Sequence, residues 1–416
     1  MKSVQMRVLT GLALAWAMAG ASQAATTLTV ASFPSFDEAV KAAIPLYKKA
    51  HPDVEIKLVS IAFADHHNAM TTALATGVNL PDVMAVEVGF IGKFAASGGL
   101  EDLSKAPYNA MQYKAKFAKF TVPQATGGAG NLAAIPADIG PGALFYRKDL
   151  LDKAGVTEAQ LTQSWDSYIA SGKKLKAATG AYLLSNAVDL KDIYIRSGLK
   201  DGEGIYFDKQ HRVLVDSPRF VRGFELAKAA RTAGIDAKIN AWTNEWSEGL
   251  KRGQVASQMM GAWLAGHLSS WLAPSTKGLW RSAQLPNRAF ASWGGSFYSI
   301  PAKAEHKKEA WDFIKFMALN KDMQIEAFRS LDAFPSLIEA QNDPFLDKPI
   351  AFLGNQPARK LWKIAADKIP AIAVDKFDPV ANEIINAELE KVLEQNKDIK
   401  QALADAKTQI ARRIRR

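Results

Sequence analysis

The sequence predicts an α/β protein of two domains, and three observations carry that prediction. The chain has 416 residues, more than one hydrophobic core usually serves. Hydrophobic residues make up 48% of it, which fits a globular chain and not a disordered one. After residue 24, strand-like and helix-like periodicities alternate at short spacing, the pattern of parallel strands joined by right-handed crossovers.

Residues 1–24 stand apart. Lys2 and Arg7 supply positive charge, "VLTGLALAWAMAGA" is nearly all apolar, and Ser22 and Ala24 are small. That is the layout of a secretory signal peptide cleaved after Ala24. Its apolar stretch falls short of the roughly 20 residues that span a bilayer, so the mature chain is expected to be soluble and periplasmic. There is no cysteine, which excludes a disulfide framework, a thiolate zinc site, a thiol nucleophile and the lipid-bearing residue of a bacterial lipoprotein. The formal charge of +10 is spread thinly. Lys2 and Arg7 leave with the leader, "ARRIRR" concentrates arginines at the C-terminus, and the remainder is interleaved with acids. A groove that tracks phosphates needs clustered basic and aromatic residues, so no nucleic acid is expected as a partner.

Each element follows from local pattern. "TLTVASF" reads as a buried strand ending in the loop signal Phe33-Pro34-Ser35. In the next segment Phe36, Val40, Ile44 and Tyr47 fall on one helical face that stops before Pro52. "VEIKLVSI" alternates as a second strand, "DHHNAMTTALATG" reads as a helix opened near Asp65 and closed by Gly77, and "PDVMAVE" is a third strand. Ligands of such sheets bind beyond the carboxyl ends of the strands, which makes the loops Phe33 to Phe36, Ala64 to His67 and Glu87 to Phe90 candidate contacts. In "IPADIGPGALFYRKDLLDKAG", Gly140-Pro141-Gly142 reads as a turn between two strand-like runs. A second set of alternating elements follows: "QSWDSYIASGKKLKAA", the helix "SPRFVRGFELAKAARTAG", "EWSEGLKRGQVASQMMGAWLAGHLSSWL", then a strand and amphipathic helix in "ASWGGSFYSIPAKAEHKKEAWDFIKFMA". The tail from Pro379 reads as charged helix. Repeats and low-complexity linkers are absent, so strand-like crossings are the expected link between domains.

Together these segments resemble the extracellular solute-binding proteins of bacterial carbohydrate ABC importers, the maltose-binding-protein-like family 1. Pro136, Ala137 and Asp138, then Ala143, Leu144, Phe145 and Tyr146, then Leu151 and Lys153 match its diagnostic pattern in register. Arg147 departs, standing where Asn or Asp is usual. "AIPLYKKAHPDVEIKLV", "LPDVMAVEVGFIGKFAASGGLEDLS", "GQVASQMMGAW" and "WGGSFYSIPAKAEHKKEAWDFIKFM" extend the resemblance over nearly the whole mature chain. It implies the two-lobed periplasmic binding protein fold of type II: each lobe a mainly parallel sheet flanked by helices, with a ligand cleft between lobes that close on a hinge. Residues 25–138 and 290–335 would form the N-terminal lobe, and 139–289 and 336–416 the C-terminal lobe with its helical tail. Ile135 to Ile139 would leave one sheet, the glycines would let the chain turn under the cleft, and "ALFY" would enter the other. Phe334-Pro335 is similar to a third crossing.

Sugars stack their C–H faces on aromatic rings and present hydroxyls that need fixed donors and acceptors. The chain holds 10 tryptophans, and placement has to choose among them. Trp263 follows Gly261-Ala262, where the family puts a ring into its cleft. Trp293 precedes Gly294 and Gly295, which let backbone approach a ligand closely. Trp311 shares a helical face with Ile314 and reads as core. Trp242 and Trp246 flank Asn244 and Glu245, which belong either to a cleft loop or to a packed helix start. Glu87 ends a strand as a hydroxyl acceptor or a helix cap, Asp138 lies at the proposed crossing, and Asp65 is read as a cap at the cleft rim. With Phe33, Ser35, His66 and Phe334 these complete the candidate set. His66 and His67 point apart on a helix and lack a spaced third ligand, so they are read as surface or rim residues, and neither metal nor cofactor is expected.

The function expected is capture of a mono- or oligosaccharide or sugar alcohol by a monomeric periplasmic protein, which delivers it to the inner-membrane permease of an ABC transporter. A secreted glycosidase or lyase would also pair acids with aromatic platforms, but no nucleophile elbow or zinc motif is present and no two carboxylates stand out. Peptide, polyamine or ferric ion are alternative solutes. Adjacent tyrosines, usual for iron capture in this superfamily, are missing.

Overall fold

The computed structural model describes residues 25–415; the leader expected over 1–24 lies outside the described residues. Strands β1 (Thr26–Ser32), β2 (Val54–Ser60) and β3 (Val83–Glu87) lie parallel in the order β2-β1-β3. Helices α1 (Phe36–Ala50) and α2 (Phe63–Thr76) make the crossovers. β3 is buried from Val83 to Val86, whereas β2, at the edge, is buried at Val54 and then alternates between exposed and half-buried residues; a central strand has both faces covered and an edge strand does not. α1 turns Phe36, Val40, Ala43 and Tyr47 inward. Trp311, Phe313 and Ile314 of the helix Lys307–Leu319 join them in one apolar cluster, so Trp311 is core as expected.

α2 begins at Phe63, earlier than its sequence suggests, after Ala62, which makes no side-chain cap bond. Asp65 therefore is not the cap, and Ala64 to His67 is not a loop. Asp65 sits exposed in the first turn, where negative charge suits the positive end of the helix dipole. Gly77 closes the helix in the left-handed region at φ 74°, as a C-terminal glycine does. His66 and His67 are not at the surface; each is 1% exposed.

β4 (Ile135–Arg147) is continuous over 13 residues. Its first half pairs antiparallel with β7 (Ser292–Ser299) and with the short β8 (Phe334–Pro335). Its second half pairs with β5 (Ser257–Gly261) and β6 (Trp280–Ala283). The turn expected at Gly140-Pro141-Gly142 is therefore a strand. Its pairing with β7 shifts register between Pro136 and Asp138 and between Ile139 and Pro141, so the chain bends by bulges, where a proline is tolerated. One strand thus starts in the sheet of the first lobe and ends in that of the second. The strands that cross run in opposite directions and pair antiparallel. Among the described residues, parallel pairing in the second lobe is confined to the bridges Tyr182–Val255, Leu184–Asp236 and Gly204–Ala373.

The second lobe packs around Trp246, Trp280 and Trp362, all essentially unexposed. The tail forms the helices Asp378–Gln395 and Ile399–Arg413, whose apolar faces pack on the helices Ala187–Ser197 and Pro218–Thr232. Arg147 now has a structural account. It is buried, both of its bonds to the Asp149 carboxylate measure 2.9 Å, Nη1 donates to the Leu250 carbonyl, and the guanidinium lies over the Trp280 ring. No helix among the described residues is long and apolar enough to cross a membrane.

Candidate ligand cleft

Pairing across β3, β7, β4 and β8 sets Glu87 opposite Ser296, Ser296 opposite Asp138, and Asp138 opposite Pro335. Residues directly opposite each other share a face of the sheet, so two carboxylates flank one serine where the lobes meet. Glu87 is partly exposed and caps helix α3 (Val88–Ala95), accepting a bond from the Gly89 N–H at 2.6 Å. Desolvation pushes its carboxyl up to about 7, against the pull of that bond and of the Arg196 guanidinium. Burial pushes Asp138 up to about 6, opposed by its hydrogen bonds to Ser296. Asp138 Oδ1 is buried without a hydrogen-bond partner among the described residues. Asp138 also borders a small cavity of about 10 Å³ shared with Phe36, Tyr298 and Gln324.

The Trp263 indole is seated by three glycines on three strands. An ideal Cβ would stand 2.2 Å from Trp263 Nε1 at Gly261, 2.9 Å at Gly294 and 3.0 Å at Gly140. At Gly140 it would also meet the Trp293 carbonyl at 1.9 Å. Only glycine fits such approaches. The slot is locked by Trp263 Nε1 donating to the Trp293 carbonyl at 2.9 Å. Gly294 and Gly295 lie at φ 79° and 120°, so they are needed for conformation as well as for space.

Beyond the slot, Trp242 lies 5.8 Å from Trp263 with the ring planes 26° apart. Trp271 lies 6.5 Å from Trp242 at 28°, and His267 stands nearly perpendicular to all three rings. Trp246 takes the other reading, fully buried with Nε1 donating to Gln258. Asn244 and Glu245 are exposed in the first turn of the helix Asn244–Arg252, whose cap is Thr243. On the opposite side of the slot, the Arg196 guanidinium lies 5.4 Å over the Trp293 ring. Its Nε is buried without a partner among the described residues. The same guanidinium favours the ionised form of Asp378, whose carboxyl burial pushes up to about 7.

The structure thus brings Glu87, Asp138, Trp263, Trp293, Gly294 and Gly295 into one continuous region. Phe334 does not join them. It is fully buried against Phe328, because a crossing strand must pack as well as cross. His66 is held by a bond between Nε2 and the Ala85 carbonyl at 2.8 Å, and burial lowers its pKa. Phe33 is buried among Phe36, Phe63, His66 and His67, so it backs the site wall. Ser35 is half-buried at φ 73°, and its side chain makes no cap bond. Arg196, Asp378, His267 and Trp271 were missed. The last two had a signal, since Trp263, His267 and Trp271 recur every fourth residue; the first two had none. No group of His, Asp or Glu among the described residues is arranged to hold a metal ion.

The family described as bacterial extracellular solute-binding protein matches residues 29–324. The chain is similar to the lactose-binding protein of Rhizobium radiobacter, at 29% identity over 375 residues, covering 85% of this chain and 84% of that one. It is also similar to the arabinooligosaccharide-binding protein of Halalkalibacterium halodurans, at 23% identity, covering 85% and 81%. Among solved structures, an extracellular solute-binding protein family 1 superposes with a TM-score of 0.80 at 26% identity, covering 93% and 99%. The B. animalis subsp. lactis ABC-transporter-associated binding protein, solved with beta-1,6-galactobiose, gives 0.76 at 22%, covering 92% and 96%; at that identity the likeness speaks for the fold.

Proposed function

The chain belongs to the bacterial extracellular solute-binding proteins, and from that premise we propose that it captures a sugar by lobe closure and delivers it to the permease of an ABC transporter. It works as a monomer in the periplasm and performs no chemistry on its ligand. The observation that carries this reading is the Trp263 slot. Strands of both lobes contribute a glycine to seat one indole, and two further tryptophans lie exposed beside it. An aromatic surface flanked by half-desolvated acids and a guanidinium is what a sugar's apolar face and hydroxyl rim require.

In this reading the first lobe comprises residues 25–138 and 290–335, and the second 139–289 and 336–416. Glu87 and Asp138 accept hydroxyl bonds from one side, and Arg196 donates from the other. Ligand touching both lobes stabilises the closed arrangement and shifts the open/closed equilibrium. The names of the lactose- and arabinooligosaccharide-binding relatives support a saccharide over a peptide or polyamine. Thermal-shift screening against a carbohydrate panel tests the reading, because a ligand that binds only the folded state raises its melting temperature. A rise with a saccharide is expected. A rise with polyamines alone, or conversion of a glycan into products, would overturn it.

A further inference from the structure

His67 lies behind the cleft wall with both ring nitrogens committed to backbone. Nδ1 donates to the Phe63 carbonyl at 2.8 Å, and Nε2 accepts the Glu87 N–H at 3.2 Å. A carbonyl only accepts and a backbone N–H only donates, so the two bonds fit a single state, the neutral ring with its proton on Nδ1. His66 does the converse, donating from Nε2 to the Ala85 carbonyl at 2.8 Å. β1 pairs with β3 at Val83 and Met84; past that point the two imidazoles of α2 serve as partners of the β3 backbone.

The His67 ring is held on every side. It is 1% exposed, stacked on Phe90 at 4.0 Å and 15°, 4.7 Å from Phe63 and perpendicular to His66. Burial pushes it down to about 4, against the Phe63 bond and with the charges of His66 and Lys93, so the neutral ring persists at neutral pH. Glu87 is the residue this bond holds. Its backbone faces Ser296 of β7 in the ladder, and its carboxyl accepts the Gly89 N–H. A group that recognises a ligand has to be kept within about 0.5 Å of its working place by packed, hydrogen-bonded neighbours.

We propose that His67 is a positioning residue of the sugar site: by accepting the Glu87 N–H, it sets where the Glu87 carboxyl meets a ligand hydroxyl. The proposal rests on the sugar-capture reading above and gives Glu87 a support that is itself too buried to touch the sugar.

Two substitutions separate the two bonds. Asn places its amide where Nδ1 was and retains the Phe63 bond, whereas Gln reaches the position of Nε2 and retains the Glu87 bond. Calorimetry on the full chain with galactose, arabinose, lactose and arabinobiose, following whichever binds the wild type, should show about tenfold weaker binding in His67→Asn. His67→Gln should stay within about threefold of wild type. In a Glu87→Ala background, His67→Asn should change affinity by less than about twofold, because the carboxyl it positions is gone. Equal losses in the Asn and Gln variants, or a loss that persists undiminished in Glu87→Ala, would reduce His67 to a packing residue and leave sugar capture standing. Absence of binding by every sugar in the wild type would overturn both. Histidine ¹⁵N spectra of the wild type at neutral pH need no variant to fold: the Nδ1–H form is expected for His67, and the Nε2–H form would overturn the proposal, since it cannot accept from Glu87.

Discussion

Glu87 bears two demands at once: it caps α3 through the Gly89 N–H and keeps a carboxylate in a site that disfavours charge. Its carboxyl is raised from 4.5 to about 7, so the folded state retains a proton that the unfolded chain has released over that interval. Its contribution to stability is therefore present below pH 4.5 and lost as pH rises through about 7. His67 and His267, pushed down from 6.5 to about 4, act in the opposite sense, with stability lost as pH falls through that window. Glu87→Gln keeps an acceptor for Gly89 and removes the charge. Its melting temperature relative to wild type should be higher at pH 8 than at pH 5, and an equal difference at both would refute the assignment. Trp263→Ala should weaken sugar binding more than about tenfold with the fold intact; unchanged affinity would exclude Trp263 from the site. Trp263 was legible because glycine precedes it and a strand leads to it. The buried state of His66 was not, because its partner is the Ala85 carbonyl, which the fold alone brings near.

The elements owe their placement to close approach. β4, β5 and β7 each give up a side chain to make the Trp263 slot, so Gly140→Ala forces the Trp293 backbone to move. Overpacking of this kind costs about 1–3 kcal/mol, and denaturant unfolding should show a loss of that order with weaker sugar binding. Wild-type stability in Gly140→Ala would mean that the slot yields freely. The strands and helices of the first lobe were readable from periodicity, within shifts such as the earlier start of α2. Gly140-Pro141-Gly142 was misread because local chemistry there favours a turn, while pairing with β7 on one side and β5 on the other holds the segment extended. Tertiary pairing outweighed local preference.

Across the molecule, closure has a contact of its own. Gly92 on α3 lies against the Asp375 backbone and the Val374 side chain, and a Cβ there would stand 2.9 Å from the Asp375 carbonyl oxygen. Gly92→Val should hold the two sides apart and weaken sugar binding by about tenfold without touching the ligand. Small-angle scattering should show a larger sugar-loaded radius of gyration than wild type, and identical radii with unchanged affinity would dismiss the contact as a closure element. The two-lobed plan was legible through motif and alternation together. Arg196 and Asp378 were not, since residues distant in sequence meet there only after the tail helices dock. The most direct measurement of the central claim is calorimetric titration of the protein and its Trp263→Ala variant with a saccharide panel that includes lactose. The account predicts saturable one-to-one binding of at least one saccharide, weakened more than about tenfold in the variant. Binding that ignores the substitution, or no binding by any saccharide, would contradict it.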